Sequence, residues 1–196
     1  LVGLQNELNA VLTQYPSSDS LSIDEIEVAI QTMQEAKKKT EKALETYNQL
    51  LALETTVVGY LESNSSDRLA AALAAAQAFD KTTATAADFT QAFTALHDSY
   101  YTCLALAVPM DQWSFNTSTY YTVDAMPYYI DTTNKLAQAI GFRNKMTMDE
   151  LVIPCSITVN GEEYAVVSFI NKYQYSQNIK QVTLPASLVH IGDYAF

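Results

Sequence analysis

The chain has 196 residues, of which 48% are hydrophobic and 17% charged, a composition that can bury a core and excludes an intrinsically disordered protein. Its formal net charge of −11 disfavours nucleic acids and anionic membrane surfaces unless basic residues are gathered into a patch. The basic run at residues 37–39 is flanked by glutamates at helical spacing, which is typical of a solvated helix surface. The sequence therefore predicts a folded protein with no nucleic-acid partner.

The placement of proline divides the chain into two parts. Pro16 is followed by no other proline until Pro109, after which three more occur. Because proline disrupts helix interiors, residues 17–108 are free to be helical, whereas the later tyrosine-rich part favours short strands. We therefore predict an α+β chain of two domains, an antiparallel bundle of about four helices at 1–108 and a small β-rich domain at 109–196.

Helix starts in the first domain are marked by capping residues. Ser22 and Glu25 have the spacing of a capping box, and Thr85 with Asp88 can begin a helix in the same way. Apolar periodicity then predicts four helices, within residues 1–15, from 22 through 61, over 69–79 and from 85 through 103.

The long second helix has apolar residues in one heptad frame. This frame predicts a core face made of Ile23, Ile26, Ile30, Met33, Leu44, Tyr47, Leu51, Val58 and Leu61. The same frame places Lys37, Thr40 and Glu54 at core positions, so the pattern favours an antiparallel bundle over a dimeric coiled coil. Oligomerisation through the helical part remains an open alternative.

Short runs bounded by turn residues predict strands in the second domain. Residues 120–123, 128–130 and 136–140 are assigned as strands, although the last of these has residues that favour helix. The sequence Asn160-Gly161 lies between two alternating runs and predicts a tight hairpin with a type I′ turn.

Cysteine usage and hydropathy make two further predictions. Cys103 and Cys155 lie far apart in segments of different character, which favours two buried free thiols and leaves a disulfide as the alternative. No apolar stretch approaches the roughly 20 residues that a transmembrane helix requires, so no transmembrane segment is expected.

An internal repeat is visible near the C-terminus. Residues 152–157 parallel residues 183–188, and residues 167–169 parallel residues 189–191. These two units and the following Ile-Gly-Asp-Tyr-Ala-Phe at 191–196 resemble the start of a BspA-type leucine-rich repeat array. In the helical part, the spacing of Ala, Leu and Thr over residues 69–96 resembles the FIVAR-type modules of bacterial surface proteins.

The BspA-like resemblance implies a secreted or cell-surface bacterial protein whose signal peptide has been removed. It implies adhesion or another binding function, with a protein or glycan ligand bound by the repeat surface. Two other hypotheses remain open. In the first, the chain is an architectural spacer or oligomerisation module. In the second, it is an accessory part that flanks a catalytic domain elsewhere in the protein.

Motifs for catalysis do not occur in the sequence. His97 and His190 lack a histidine partner at metal-binding spacing, and there is no Gly-rich phosphate loop or nucleophile elbow. Acidic loops at Asp124 and residues 131–134 offer oxygen atoms but no EF-hand pattern. We therefore predict that the chain is not an enzyme, with no catalytic residue, no cofactor and no metal site.

Aromatic residues supply the candidate ligand platform, because exposed aromatic side chains bind sugars and peptides. The competing interpretation is that they form the interface between the helical and β-rich parts. The candidate platform residues are Trp113, Phe115, Tyr120 and Tyr121.

Overall fold

The computed structural model describes residues 1–15, 21–142, 149–172, 179–193 and 195. Within these residues, four α-helices precede a sheet-rich C-terminal part, which confirms the α+β class and the helical and β-rich regions. The chain divides into two compact units, Leu1–His97 and Asp98–Phe196. The predicted break at Pro16 lies outside the described residues.

The helices are α1 (Val2–Leu12), α2 (Ile23–Ser63), α3 (Asp67–Ala78) and α4 (Ala86–Ala107). Capping residues begin α2 as predicted, because the Ser22 amide donates to Glu25 Oε2 at 2.8 Å and the Glu25 amide donates to Ser22 Oγ at 3.4 Å. Asp88 Oδ2 likewise accepts the Thr85 amide at 2.9 Å before α4. These bonds satisfy amides that the first helical turn leaves without partners.

The predicted core face of α2 consists of two rows, each with residues seven positions apart, and one of these rows is wrong. The row from Ile26 through Tyr47 to Leu61 is partly buried, as expected. The second row, which consists of large aliphatic residues, is exposed. Each buried residue lies one position before a residue of this exposed row. The exposed row is Ile23, Ile30, Leu44, Leu51 and Val58, and the buried residues are Ala29, Ala43, Leu50 and Val57.

The reason for this correction lies in helix packing. The exposed row and the buried row both repeat every seven residues, and they lie on opposite sides of the partly buried row. The periodicity alone therefore does not tell which of these two rows packs against the neighbouring helices. Alanines at the contact allow the backbones of packed helices to approach closely, and large side chains then remain at the margin. Glu54 stays in the inward-facing row, where Lys81 Nζ lies 3.0 Å from its Oε1 without hydrogen-bond geometry.

Two residues of helix α1 make polar or close backbone contacts with the rest of the first unit. A side chain on Gly3 would meet the Thr83 carbonyl oxygen at 2.1 Å, and the Gly3 amide donates to the Thr82 carbonyl at 3.2 Å. Glu7 accepts from Lys39 Nζ at 2.8 Å and from the Ala86 amide at 2.9 Å, and these bonds lower its pKa. Glu7 therefore joins α1 to α2 and to the start of α4.

In the part of the second unit that the structure describes, eight strands form two sheets. Their order in the larger sheet is β1-β2-β3-β6-β5, with β8 paired to β6, and β4 pairs with β7 in the smaller sheet. The strands are β1 (Tyr121–Val123), β2 (Met126–Asp131), β3 (Leu136–Ala139), β4 (Glu150–Val152), β5 (Ser156–Val159), β6 (Glu162–Phe169), β7 (Gln181–Thr183) and β8 (His190–Ile191).

The strand predicted at residues 136–140 and the hairpin predicted at Asn160-Gly161 are both confirmed. Strand β3 lies between β2 and β6 and is largely buried, so sheet pairing overrides the helix propensity of its residues. The hairpin of β5 and β6 has Asn160 at φ 53° and Gly161 at φ 82°, the left-handed angles that a type I′ turn requires.

The central strands of the larger sheet, β2, β3 and β6, are largely buried on both faces within the second unit. On one face, residues such as Ala137 and Val166 pack with Leu151 and Ile153 of the β4 segment. On the other face, Leu136, Ala165 and Val167 pack against Tyr101 and Ala105 of α4.

The parallel strand pairs reproduce the internal repeat. Val152 of β4 lies opposite Thr183 of β7, and Ser168 and Phe169 of β6 lie opposite His190 and Ile191 of β8. These are the same residues that the self-comparison aligns. The described residues contain these stacked pairs and do not show a leucine-rich repeat array; Tyr194 and Phe196 of the terminal motif are outside them.

Candidate functional site

Trp113 and Phe115, two of the candidate platform residues, come together in the core beside α4. Their ring centroids are 5.8 Å apart in an edge-to-face arrangement, and Trp113 Nε1 donates to the Val108 carbonyl at 3.1 Å. Both rings are half-buried against the cluster that contains Leu136 and Val167. This environment makes them mainly packing residues of the second unit.

The other two platform residues have different surroundings. Tyr121 is half-buried and packs against the core on the opposite face of the sheet, whereas Tyr120 is 39% exposed. Tyr128 and Tyr129 are buried, and burial followed by the nearby charge of Asp124 raises the pKa of Tyr128. Within this group, Tyr120 therefore has the largest surface for a ligand.

Asp131 is a buried carboxylate that organises the loops beside the sheet. It accepts the Ser114 amide at 2.7 Å, the Thr133 and Asn134 amides at 3.0 Å each, and Asn134 Nδ2 at 2.7 Å. Burial opposes the charged form, but the bonds from Asn134, Ser114 and Thr133 outweigh it and lower the pKa of Asp131. Because N–H donors already occupy both carboxylate oxygens, this residue is a loop anchor and a poor calcium ligand.

A polar cluster joins α4 to the β5–β6 hairpin. The Tyr101 hydroxyl donates to Glu163 Oε2 at 2.5 Å, and Ser156 Oγ donates to Glu163 Oε1 at 3.2 Å. Burial has the largest effect on the pKa of Tyr101 and raises it. The hydrogen bond to Glu163 and the negative charge of Glu163 raise it further. Sequence patterns contain no signal for this cluster, because Tyr101 and Glu163 are 62 residues apart along the chain.

Neither Cys103 nor Cys155 forms a disulfide, as the favoured prediction had it, although both are half-buried and not fully buried. Cys155 Sγ donates to Asp98 Oδ1 at 2.8 Å. Burial and the carboxylate of Asp98 raise the pKa of Cys155 to about 12, so the thiol keeps its proton at neutral pH. A protonated thiol is a weak nucleophile, and Cys155 therefore does not have the properties of a catalytic cysteine.

Three polar residues form a row across the parallel strands β3, β6 and β8. Gln138 lies opposite Ser168, which lies opposite His190. Gln138 Nε2 donates to Ser168 Oγ at 3.0 Å, and this oxygen lies 3.0 Å from His190 Nδ1. A serine and histidine at this distance can form a nucleophilic pair, but Ser168 is fully buried and a substrate cannot reach its hydroxyl.

We therefore interpret this row as a structural link between stacked strands. The repeat alignment indicates the contact between Ser168 and His190, because these residues occupy equivalent positions in the two units. His97, the other histidine, packs against the ring of Phe93, with their centroids 5.2 Å apart.

The smaller sheet has an outward-facing row of mixed character. Leu151 of β4 and Val182 of β7 pack against the core, so the alternating residues point away from it. The outward-facing positions are exposed, and Val152 has 58% of its surface accessible. We name this surface the repeat row; it comprises Glu150, Val152, Gln181 and Thr183.

No protein-family model, curated protein or solved structure matches this chain. Among the described residues, no helix combines the length and apolar character needed to cross a membrane.

Proposed function

We propose that the chain is a non-catalytic part of an exported bacterial surface protein that binds a protein or glycan partner through its repeat strands. The observation that supports this proposal is the parallel register of β4 with β7 and of β6 with β8, which follows the sequence repeat residue by residue. In solenoid proteins, repeats stacked in this way place equivalent side chains in regular rows and create extended binding surfaces.

The repeat row is the surface that we assign to the partner. It combines an apolar side chain at Val152 with polar groups at Glu150, Gln181 and Thr183, and all four are exposed. Gln181 Nε2 donates to Glu150 Oε1 at 3.4 Å, so neighbouring strands already share one side-chain hydrogen bond across this row. A surface that combines hydrogen-bonding groups with an apolar side chain suits a protein or glycan partner.

The non-catalytic part of the proposal is supported by the chemistry of the polar groups. Two nucleophile candidates that the structure places beside a polar partner are a buried hydroxyl at Ser168 and a protonated thiol at Cys155. Neither is suited to attack a substrate at neutral pH.

The experiment is a binding screen of the purified chain against immobilised glycans and extracellular-matrix proteins. We expect binding to at least one of these, and we expect the Val152→Lys/Thr183→Lys variant to reduce it at least about tenfold, as for the loss of a central contact. Val28→Lys, an equally exposed valine on α2, is the matched control.

Two outcomes would count against the proposal. Binding that survives the double variant but is lost in Tyr120→Ala would assign recognition to the aromatic surface and not to the repeat row. A chain that binds no member of the screen, or one that turns over a substrate, would contradict the binding function itself.

A further inference from the structure

The outer side of α2 has a row of aliphatic side chains without a partner in the described structure. These residues recur every seven positions and have between 37% and 76% of their surface exposed. We name them the aliphatic row: Ile23, Ile30, Leu44, Leu51 and Val58. Lys37 occupies the remaining position of the row, between Ile30 and Leu44.

We propose that the aliphatic row is a homodimer interface, in which α2 of one copy packs antiparallel against α2 of a second copy. This interaction is independent of the ligand-binding function proposed above. The argument rests on three features of the row: its symmetry, the charges beside it and the area that it offers.

The spacing of the row matches an antiparallel copy of itself. When two α2 helices cross at Thr40 and Glu41, Ile23 lies opposite Val58 and Ile30 lies opposite Leu51 of the other copy. Each apolar residue in these layers meets an apolar residue, whereas Leu44 lies opposite Lys37 of the other copy, whose aliphatic stem can cover it. A two-fold axis at the centre of the row needs no complementary surface on another protein, because the same patch serves both copies.

Charges next to the row favour the antiparallel arrangement over the parallel one. Lys38 and Glu45 lie on the same side of the row, one heptad apart, and both are exposed. In an antiparallel pair the same sides of the two helices face each other, so Lys38 of each copy approaches Glu45 of the other. A parallel pair aligned in register places Lys37 beside Lys37, which is unfavourable.

The charges at the two-fold axis are also balanced. Glu41 of both copies lies near the axis, and Lys37 of both copies lies less than one helical turn away from the opposite Glu41. Within one copy, Lys37 Nζ is 3.7 Å from Glu41 Oε1, so this pair is already formed before association. Two positive and two negative charges therefore surround the axis.

The area of the row predicts a weak dimer. From Ile23 to Val58 the row is about 53 Å long at 1.5 Å per residue, and a helix face is about 10 Å wide. Each copy therefore contributes about 500 Å², and the total of about 1,000 Å² is at the lower end for specific interfaces. We accordingly expect a Kd of about 10 to 100 µM.

The first experiment is sedimentation equilibrium of the full chain, at protein concentrations from about a tenth to about ten times the expected Kd. The wild type should change from monomer to dimer across this range. Ile30→Gln should raise the Kd at least about tenfold, since Ile30 faces Leu51 of the other copy and each dimer loses two apolar contacts. Val28→Gln, which alters an exposed residue of α2 outside the row, should leave the Kd unchanged.

Charge exchange tests the orientation. Lys38→Glu should weaken the dimer, and combining it with Glu45→Lys should restore the affinity, because the exchanged charges again face each other between copies. Circular dichroism of each variant checks that the helices remain folded, as expected for substitutions at exposed positions.

A distance measurement tests the same geometry in a background with Cys103→Ser and Cys155→Ser. A spin label at position 41 should report a short distance between copies, and a label at position 62 should report about 65 Å at 1.5 Å per residue. Short distances at both positions would overturn the antiparallel arrangement. A chain that stays monomeric over the whole range, or a Kd that Ile30→Gln leaves unchanged, would overturn the interface.

Discussion

Replacement of Asp131 by asparagine is the sharpest test of the second unit. The carboxylate is 1% exposed and accepts four hydrogen bonds from N–H donors of Ser114, Thr133 and Asn134. Asparagine has one carbonyl oxygen in place of two, and its amide nitrogen would face donors where an acceptor is required. The variant therefore loses at least one charge-assisted bond and leaves a donor without a partner.

The expected cost follows from these bonds. Hydrogen bonds to a charged group contribute about 1.5 to 3 kcal/mol each, and a buried unsatisfied donor costs about 1 to 3 kcal/mol. Because the loops can relax, we expect Asp131→Asn to lower the free energy of unfolding by about 2 to 4 kcal/mol. This is a large share of the roughly 5 to 15 kcal/mol typical of a domain.

The pH dependence of stability gives an independent measure. Hydrogen bonding holds the pKa of Asp131 below its ordinary value in the folded state. The folded state therefore binds fewer protons than the unfolded state, so this stabilisation is complete above the unfolded pKa of about 3.9 and is lost as the pH falls through the folded pKa. The Asn variant should lack this part of the acid destabilisation.

The assay is urea unfolding followed by the fluorescence of Trp113, the only tryptophan, which directly precedes one of the donors to Asp131. The control is Asp111→Asn, an exposed aspartate in the short helix Met110–Gln112. A loss below about 0.5 kcal/mol, the usual range for surface substitutions, or an acid transition unchanged from wild type would refute this account of Asp131.

Three other substitutions test the packing and turns. Leu50→Ala should cost about 2 to 5 kcal/mol and Leu51→Ala less than about 1, measured by helix unfolding in circular dichroism; equal losses would contradict the revised face of α2. Gly3→Ala should destabilise the first unit by at least about 1 kcal/mol in the same assay, because its side chain would meet the Thr83 carbonyl; an unchanged unfolding midpoint would contradict this contact. Gly161→Ala should cost about 1 kcal/mol by Trp113 fluorescence, from backbone strain alone since no atom lies within 4 Å of the new side chain; a neutral effect would contradict the type I′ turn.

Features that depend on neighbouring residues were predictable from the sequence. The cap of Ser22 and Glu25, the start of α4 at Thr85 and the turn at Asn160 all involve atoms within three residues of one another. The repeat register was predictable for a related reason, since equivalent residues of successive units stack in the same order along the chain.

Features that depend on distant partners were decided by the tertiary structure. Leu50 and Leu51 are the same residue type side by side, and only the positions of the packed helices determine that the first is buried and the second exposed. Asp131 could equally have been a surface carboxylate, and its role depends on Ser114, 17 residues away. The sequence by itself thus determined where elements begin, turn and repeat, because short-range hydrogen bonds and backbone angles control these points. The tertiary structure decided which face is buried and which polar groups meet, because these depend on the joint packing of segments far apart in the chain.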